Sequence, residues 1–141
     1  MNSEFLSGLT DNVCDVAIIG GGASGYFTAA NIIKPDSETR CCLFEASEHP
    51  LAKVSLSGGG RCNVTHHEFE VSRLVEHYPR GFRELRGPFS RFQPKDMIRW
   101  LEDRGVLTKT ESDGRVFPQS DHSESVVNCL KNACFDAGIE S

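Results

Sequence analysis

The feature that most constrains this chain is Gly20-Gly21-Gly22-Ala23-Ser24-Gly25, placed directly behind the run Val13-Cys14-Asp15-Val16-Ala17-Ile18-Ile19. The run is short, apolar and β-branched, and it reads as a strand buried on both faces, the habit of a central parallel strand. A helix-compatible segment follows from Tyr26 to Ile33 and stops near Lys34-Pro35. Arg40-Cys41-Cys42-Leu43-Phe44-Glu45 reads as a second strand. Strand, glycine turn, helix and strand within about 33 residues is the size of a βαβ unit. The chain is therefore expected to be of the α/β class.

Gly20, Gly22 and Gly25 have the spacing of a dinucleotide-binding turn. The first glycine makes the tight turn, the second admits a pyrophosphate against the backbone, and the third lets helix and strand pack closely. Gly21 falls between them at a position free to vary. The N–H groups of Ala23 and Ser24 sit in the first helical turn, with the helix dipole behind them. The glycine pattern alone is a weak signal, but Glu45 stands at the end of the second strand, 20 residues past Gly25. A carboxylate there accepts hydrogen bonds from ribose hydroxyls. It suits FAD or NAD and disfavours the 2′-phosphate of NADP; the motif leaves FAD and NAD open.

The segment from Leu51 to Thr65 holds a second glycine cluster, Ser57-Gly58-Gly59-Gly60-Arg61-Cys62-Asn63, too rich in glycine for a regular element. Consecutive glycines let main chain run close to a ligand and present N–H groups to it. Arg61 could offer a guanidinium fork and Asn63 an amide. His66 to Glu84 is weakly periodic, with room for a short helix. Gln93-Pro94-Lys95-Asp96 opens a clearer helix, with Met97, Trp100 and Leu101 on one face and Gly105 as its stop. Val106 to Thr110 and Arg115 to Phe117 flank Ser112-Asp113-Gly114, a hairpin signal. A last amphipathic helix runs from about Ser123 to Ala137, with Val126, Val127, Leu130, Ala133 and Cys134 facing in.

With 141 residues, 38% of them hydrophobic and 25% charged, the chain suits one modest soluble domain, residues 13–141, behind a disordered lead-in of residues 1–12. A net charge of −5 with scattered acids argues against nucleic acid as a partner. The basic stretch from Arg80 to Arg104 is interleaved with Glu84, Asp96, Glu102 and Asp103, and reads as a solvated surface. No segment approaches the roughly 20 apolar residues of a membrane span, and residues 1–12 lack the parts of a secretory signal. Six cysteines show no CxxC pair and no metal-ligand spacing. A cytoplasmic protein with reduced thiols, no metal and no membrane partner is the expectation.

Several strings resemble the N-terminal pattern of the BaiN-like (YhiN-like) flavoproteins, a family of NAD(P)/FAD-dependent oxidoreductases. They are Asp15 to Gly25, Glu45-Ala46, Lys53, Ser57 to Thr65, Gly114-Arg115-Val116-Phe117-Pro118-Gln119-Ser120-Asp121 and Ser125-Val126-Val127. The resemblance covers the chain from about Val13 to Glu140 and implies FAD as the cofactor. It places Gly20, Gly22, Ala23, Ser24 and Gly25 on the pyrophosphate, and Glu45, with Ala46 beside it, on the ribose. Lys53, Gly60, Arg61, Cys62 and Asn63 would line the cofactor towards the flavin. Hydride would pass between a reduced nicotinamide, NAD(P)H, the flavin and a small organic substrate. No side chain is named as catalytic, because the flavin carries the hydride.

His66 departs from the asparagine of the family pattern and reads as a core or surface histidine rather than a catalytic one. Cys62 beside Arg61 raises the thought of a thiol with a depressed pKa, but packing or a cofactor contact is the better reading. Arg115 reads as a hairpin brace and Asp121 as a helix N-cap. Two rivals stand beside the flavoprotein: an NAD-dependent dehydrogenase, which would continue in regular βα units, and a remnant without enzymatic activity. The fold expected is a Rossmann-type FAD-binding βαβ unit with helices and a β-hairpin inserted after the second strand. Two strands are few for a doubly wound site, so the chain is expected to be truncated, marginally stable and bare over part of the Val126, Leu130 and Ala133 face.

Overall fold

A computed structural model of the chain describes residues 13–32 and 38–139. The expectations for residues 1–12, for the helix stop at Ile33-Lys34-Pro35 and for Glu140-Ser141 lie outside them. The described residues gather into two compact units, one within Met1–Lys53 and Leu130–Ser141, the other Val54–Cys129.

The first unit carries β1 (Val16–Ile19), α1 (Ala23–Ile32) and β2 (Cys41–Phe44). The strands pair in parallel, from Val16 opposite Cys41 to Ile19 opposite Phe44, so the βαβ reading holds. β1 begins later than the apolar run. Its ladder ends where the N–H groups of Asp15 and Val16 both donate to the Arg40 carbonyl, at 2.9 and 3.1 Å. The Asp15 carboxylate closes that end by accepting the Arg40 N–H at 2.9 Å. α1 buries Tyr26 and Ala29, and the Cys134 thiol donates to the Tyr26 carbonyl at 3.1 Å. Burial pushes that thiol up to about 11, so it packs as a neutral group.

The expectation that β1 is buried on both faces does not hold. Ala17 and Ile19 are exposed, Ile19 by 80%. Ala17 and Ile19 share one face of the strand, and α1 packs on the β1–β2 pair; among the described residues the exposed face lacks the second covering layer that a doubly covered parallel sheet has.

The remaining elements are α2 (Ala52–Gly60), β3 (Thr65–His66), α3 (Val71–Leu74) running into a 3₁₀ turn at Val75–His77, α4 (Arg86–Arg91), α5 (Pro94–Glu102), β4 (Thr108–Thr110), β5 (Arg115–Pro118) and α6 (Ser123–Asp136). α5 starts on Pro94, whose missing N–H costs nothing in a first turn. The Asp96 carboxylate reaches back to the Gln93 N–H at 2.9 Å. Gly105, at φ +82, follows the helix in the left-handed conformation that a C-terminal stop uses. β4 and β5 form the expected hairpin, and β3 adds a third antiparallel strand, giving the order β3-β5-β4. β3 and α4 escaped the sequence reading. A two-residue strand has no periodicity to detect, and α4 contains Gly87-Pro88.

Leu101, Val116 and Phe117 are fully buried in the second unit, joined by Leu74, Val75 and Val126. The face expected to be partly bare is covered, since Val126, Leu130 and Ala133 are all buried. The exposed apolar side chains are others, among them Ile19, Phe44, Leu56 and Phe135. All six cysteines are free, and among the described residues no helix is long and apolar enough to cross a membrane.

Burial separates two substitutions cleanly. Leu101→Ala is expected to cost about 2–5 kcal/mol, while Phe135→Ser, at a side chain 82% exposed, stays within about 0.5 kcal/mol. Urea titration followed by circular dichroism measures both, and equal losses would place the core elsewhere.

Candidate cofactor site

The glycine turn hangs from the end of β2, because the Gly20 N–H donates to the Phe44 carbonyl at 2.7 Å. Gly20 sits at φ +106, a conformation that side chains disfavour. The Gly22 carbonyl accepts the Tyr26 N–H at 3.0 Å and so starts α1. Gly22, Ala23 and Ser24 are exposed, while Gly21 and Gly25 are buried. The first N–H groups of a helix have no partner within it, and here they face open surface at the positive end of the helix dipole.

Each glycine is required for a different reason. A Cβ at Gly25 would lie 2.0 Å from the Gly20 carbonyl oxygen, so the close packing of helix on strand forbids a side chain. A Cβ at Gly22 would meet nothing within 4 Å. That open volume beside the turn is where a ligand can approach the backbone. Gly21 is not free to vary, contrary to expectation: its Cβ would lie 2.9 Å from the Glu45 Cβ.

The reason is a bond that the sequence did not reveal. The Gly21 N–H donates to Oε2 of Glu45 at 2.6 Å, and the Ser47 N–H donates to Oε1 at 2.8 Å. These N–H groups, Ser47 first and then Gly21, hold the Glu45 carboxyl below the usual carboxylate range. It is ionised at neutral pH, and each oxygen keeps a lone pair for a hydroxyl donor. Leu51 adds a second tie, its N–H donating to the Gly21 carbonyl at 2.8 Å from a buried position at φ +62. Ala46 and Lys53 are exposed.

The second glycine cluster lies in the other unit. A helix does form here, over residues 52–56, and it breaks at Ser57, where ψ turns to 149. Gly58, Gly59, Gly60 and Cys62 then all adopt positive φ. Gly58 is also required for space, since a Cβ there would sit 2.7 Å from the Asn63 nitrogen and 2.8 Å from the Phe117 ring. Gly60 and Asn63 are exposed, as the reading of a ligand-facing loop requires.

Arg61 is engaged within the protein. Its Nη1 lies 2.5 Å from Glu111 and 3.6 Å from Asp121, and its guanidinium stacks 4.0 Å from the Phe117 ring centre. Burial pushes the Cys62 thiol up, the opposite of an activated thiolate. Asp121 is not an N-cap. It sits at φ +57 with its carboxylate paired to Lys109 and Arg61, and the Lys109 contact leads the forces that lower its pKa. Arg115 is the expected brace, 2.7 Å from Asp113 and 3.4 Å from Glu111. His66 packs on Gly114, its Nδ1 2.7 Å from the Gly114 carbonyl, and a Cβ at Gly114 would lie 1.9 Å from its ring.

Residues 14–141 match the family described as HI0933-like protein Rossmann domain. The chain is 28% identical over 116 residues to the 3-dehydro-bile acid delta(4,6)-reductase of Clostridium scindens, which covers 82% of this chain and 27% of that protein. It is 28% identical over 120 residues to the ribosomal RNA dihydrouridine synthase of Escherichia coli, covering 85% of this chain and 28% of the relative. The Haemophilus influenzae protein of the same name is 27% identical over 123 residues, covering 87% and 29%. The chain therefore spans between 27% and 29% of the length of these relatives. The crystal structure of Thermovibrio ammonificans THI4 shares the fold with a TM-score of 0.54 over 98% of this chain and 41% of that one, at 17% identity. The fold is α/β and Rossmann-like.

Three glycine variants read the turn. Gly21→Ala is expected to cost about 1–3 kcal/mol, the usual range for overpacking, and Gly25→Ala more. Gly22→Ala stays within about 0.5 kcal/mol. Denaturation midpoints that rank them otherwise would contradict the contacts described.

The acid limb of stability reads the ion pairs. A carboxyl whose folded pKa is lowered stabilises the fold at neutral pH, and that contribution fades as pH falls through the folded value. Asp121→Asn keeps a residue that tolerates positive φ and removes the charge. Its melting temperature should fall less steeply between neutral and acid pH than that of the unaltered chain; an unchanged slope would show the pairing to be inconsequential.

Proposed function

The chain belongs to the HI0933-like protein Rossmann-domain family, and from that membership we propose that it is the dinucleotide-binding part of an FAD-dependent oxidoreductase. One observation carries the reading: the ionised Glu45 is fixed against the glycine turn, beside the exposed start of α1 and the open space at Gly22. The pyrophosphate would rest on Gly22, Ala23 and Ser24, where backbone N–H groups and the helix dipole favour an anion. Gly20 and Gly25 shape the turn that makes this approach close.

Glu45 would accept the ribose hydroxyls, with Ala46 flanking it. Its negative charge would repel a 2′-phosphate, which supports FAD over an NADP-type ligand at this position. Lys53, Gly60, Arg61, Cys62 and Asn63 keep the cofactor-lining role that the family resemblance gives them. For Arg61 and Cys62 the geometry supports an indirect share in it, by holding the loop in shape. The bound flavin would supply two-electron hydride chemistry. The protein groups bind and orient it, and none is assigned a proton-transfer step.

NAD(P)H is the proposed electron donor. One relative is named a reductase of a 3-dehydro-bile acid and two are named dihydrouridine synthases. Both names describe the addition of hydrogen to an organic ring, and an unsaturated organic ring is the substrate class proposed here.

Denaturing the purified protein should release FAD, identified by its absorption and chromatographic mobility. Glu45→Ala should weaken FAD binding about tenfold, as expected for a lost hydrogen bond to a charged group. Gly22→Val should abolish binding with the circular dichroism spectrum unchanged. Release of NAD, or of no chromophore at all, would overturn the assignment.

A further inference from the structure

Two histidine rings stand side by side in the second unit. His66 lies on β3 and His77 ends the 3₁₀ turn, and their ring centres are 5.2 Å apart with the planes tilted by 55°. Two imidazoles on one tetrahedral ion, each with a nitrogen about 2.0–2.1 Å from it, hold their ring centres roughly 5 Å apart. The cysteine spacing behind the expectation of no metal is silent about this pair, which the fold alone brings together.

The His66 ring is fixed from two directions. Its Nδ1 lies 2.7 Å from the Gly114 carbonyl oxygen, which can only accept, so Nδ1 carries the proton. In the neutral ring the free lone pair then sits on Nε2. The same carbonyl accepts the His67 N–H at 2.7 Å, which holds the acceptor in place. Gly114 gives the ring its room, since a Cβ there would fall 1.9 Å from Cε1 and 2.5 Å from Nδ1. One ring nitrogen donating to a backbone carbonyl while the other stays free to ligate is how metal-binding histidines are oriented.

His66 is half-buried and His77 is exposed. Among the described residues no hydrogen bond or ion pair engages Nε2 of His66 or either ring nitrogen of His77. A pair that served packing alone has no need of an open member, whereas an ion needs a path of entry. No group of three histidine, cysteine or acidic side chains that could hold a metal occurs among the described residues. Water would therefore fill the remaining positions, as it does at open zinc sites.

We propose that His66, through Nε2, and His77 form a two-histidine site for a divalent transition-metal ion of the zinc type. Imidazole suits zinc, whereas magnesium and calcium take oxygen ligands. The ion would clip β3 to the 3₁₀ turn across α3. The site is independent of the flavin reading.

Isothermal titration of the full chain with zinc sulfate tests the site. One ion should bind per chain, and the melting temperature should rise with zinc, because a ligand of the folded state alone stabilises it. His77→Ala removes an exposed ring, so the circular dichroism spectrum should not change while zinc binding weakens at least about tenfold. His66→Gln should weaken binding similarly. His67→Ala, next in sequence but outside the pair, should bind zinc as the unaltered chain does. Cobalt in place of zinc reads the ligand type, since a thiolate adds an intense near-ultraviolet band that imidazole and water lack. No zinc binding, binding unchanged in His77→Ala, equal loss in His67→Ala, or a cobalt–thiolate band would overturn the proposal.

Discussion

The bond between the Gly21 N–H and the Glu45 carboxylate joins the turn after the first strand of the βαβ unit to the end of the second, the two places proposed to meet a ligand. It ties the turn after β1 to the chain leaving β2, alongside the Gly20 bond to the Phe44 carbonyl. In the proposed function Glu45 therefore has two tasks. One oxygen shapes the backbone of the turn, and the lone pairs left over face outward as acceptors. An acceptor fixed by backbone donors loses little conformational freedom when a hydroxyl arrives, which is the sense in which such a site is preorganised. The same bond explains why Gly21 must be glycine although the dinucleotide motif does not ask for it.

Phe117 plays the comparable part in the second unit. It is fully buried, its ring lies under the Arg61 guanidinium at 4.0 Å, and its edge fills the space that a side chain at Gly58 would need. The strand that carries it, β5, pairs with both β3 and β4. Positive φ at Cys62 is a strain of roughly 1–3 kcal/mol for a residue with a Cβ, and its burial among these neighbours offsets that cost. Arg61, pinned by Glu111 and Asp121, holds the loop from the other side.

Much of this was legible in the sequence for identifiable reasons. Val16 to Gly25 and Cys41 to Glu45 follow rules of local order, so the βαβ unit, its crossover and its carboxylate could be read directly. The α5 helix declared itself through Gln93-Pro94 and Asp96, and the β4–β5 hairpin through Asp113-Gly114. What escaped depends on contacts between distant residues. β3 exists because Thr65 and His66 find Val116 and Arg115. The true position of Asp121 is decided by Lys109 and Arg61, and no local pattern announces either pairing. The exposure of Ile19 reflects a strand face without a covering layer among the described residues, which no property of the strand itself could reveal.

Arginine is used in two opposite ways, and the difference shows what a residue count conceals. Arg61 and Arg115 lie against carboxylates and the Phe117 ring, where a planar donor fork fixes a loop and a hairpin. Arg80, Arg83 and Arg86 have the same chemistry, lie exposed and make no ion pair among the described residues. The first pair raises local order without adding to the field, because each charge is cancelled within about 4 Å. The second set leaves its charge standing, screened only over about 10 Å at moderate ionic strength. A net charge of −5 is therefore compatible with a locally cationic surface, and composition alone could exclude an anionic partner only if the acids were spread evenly over that surface.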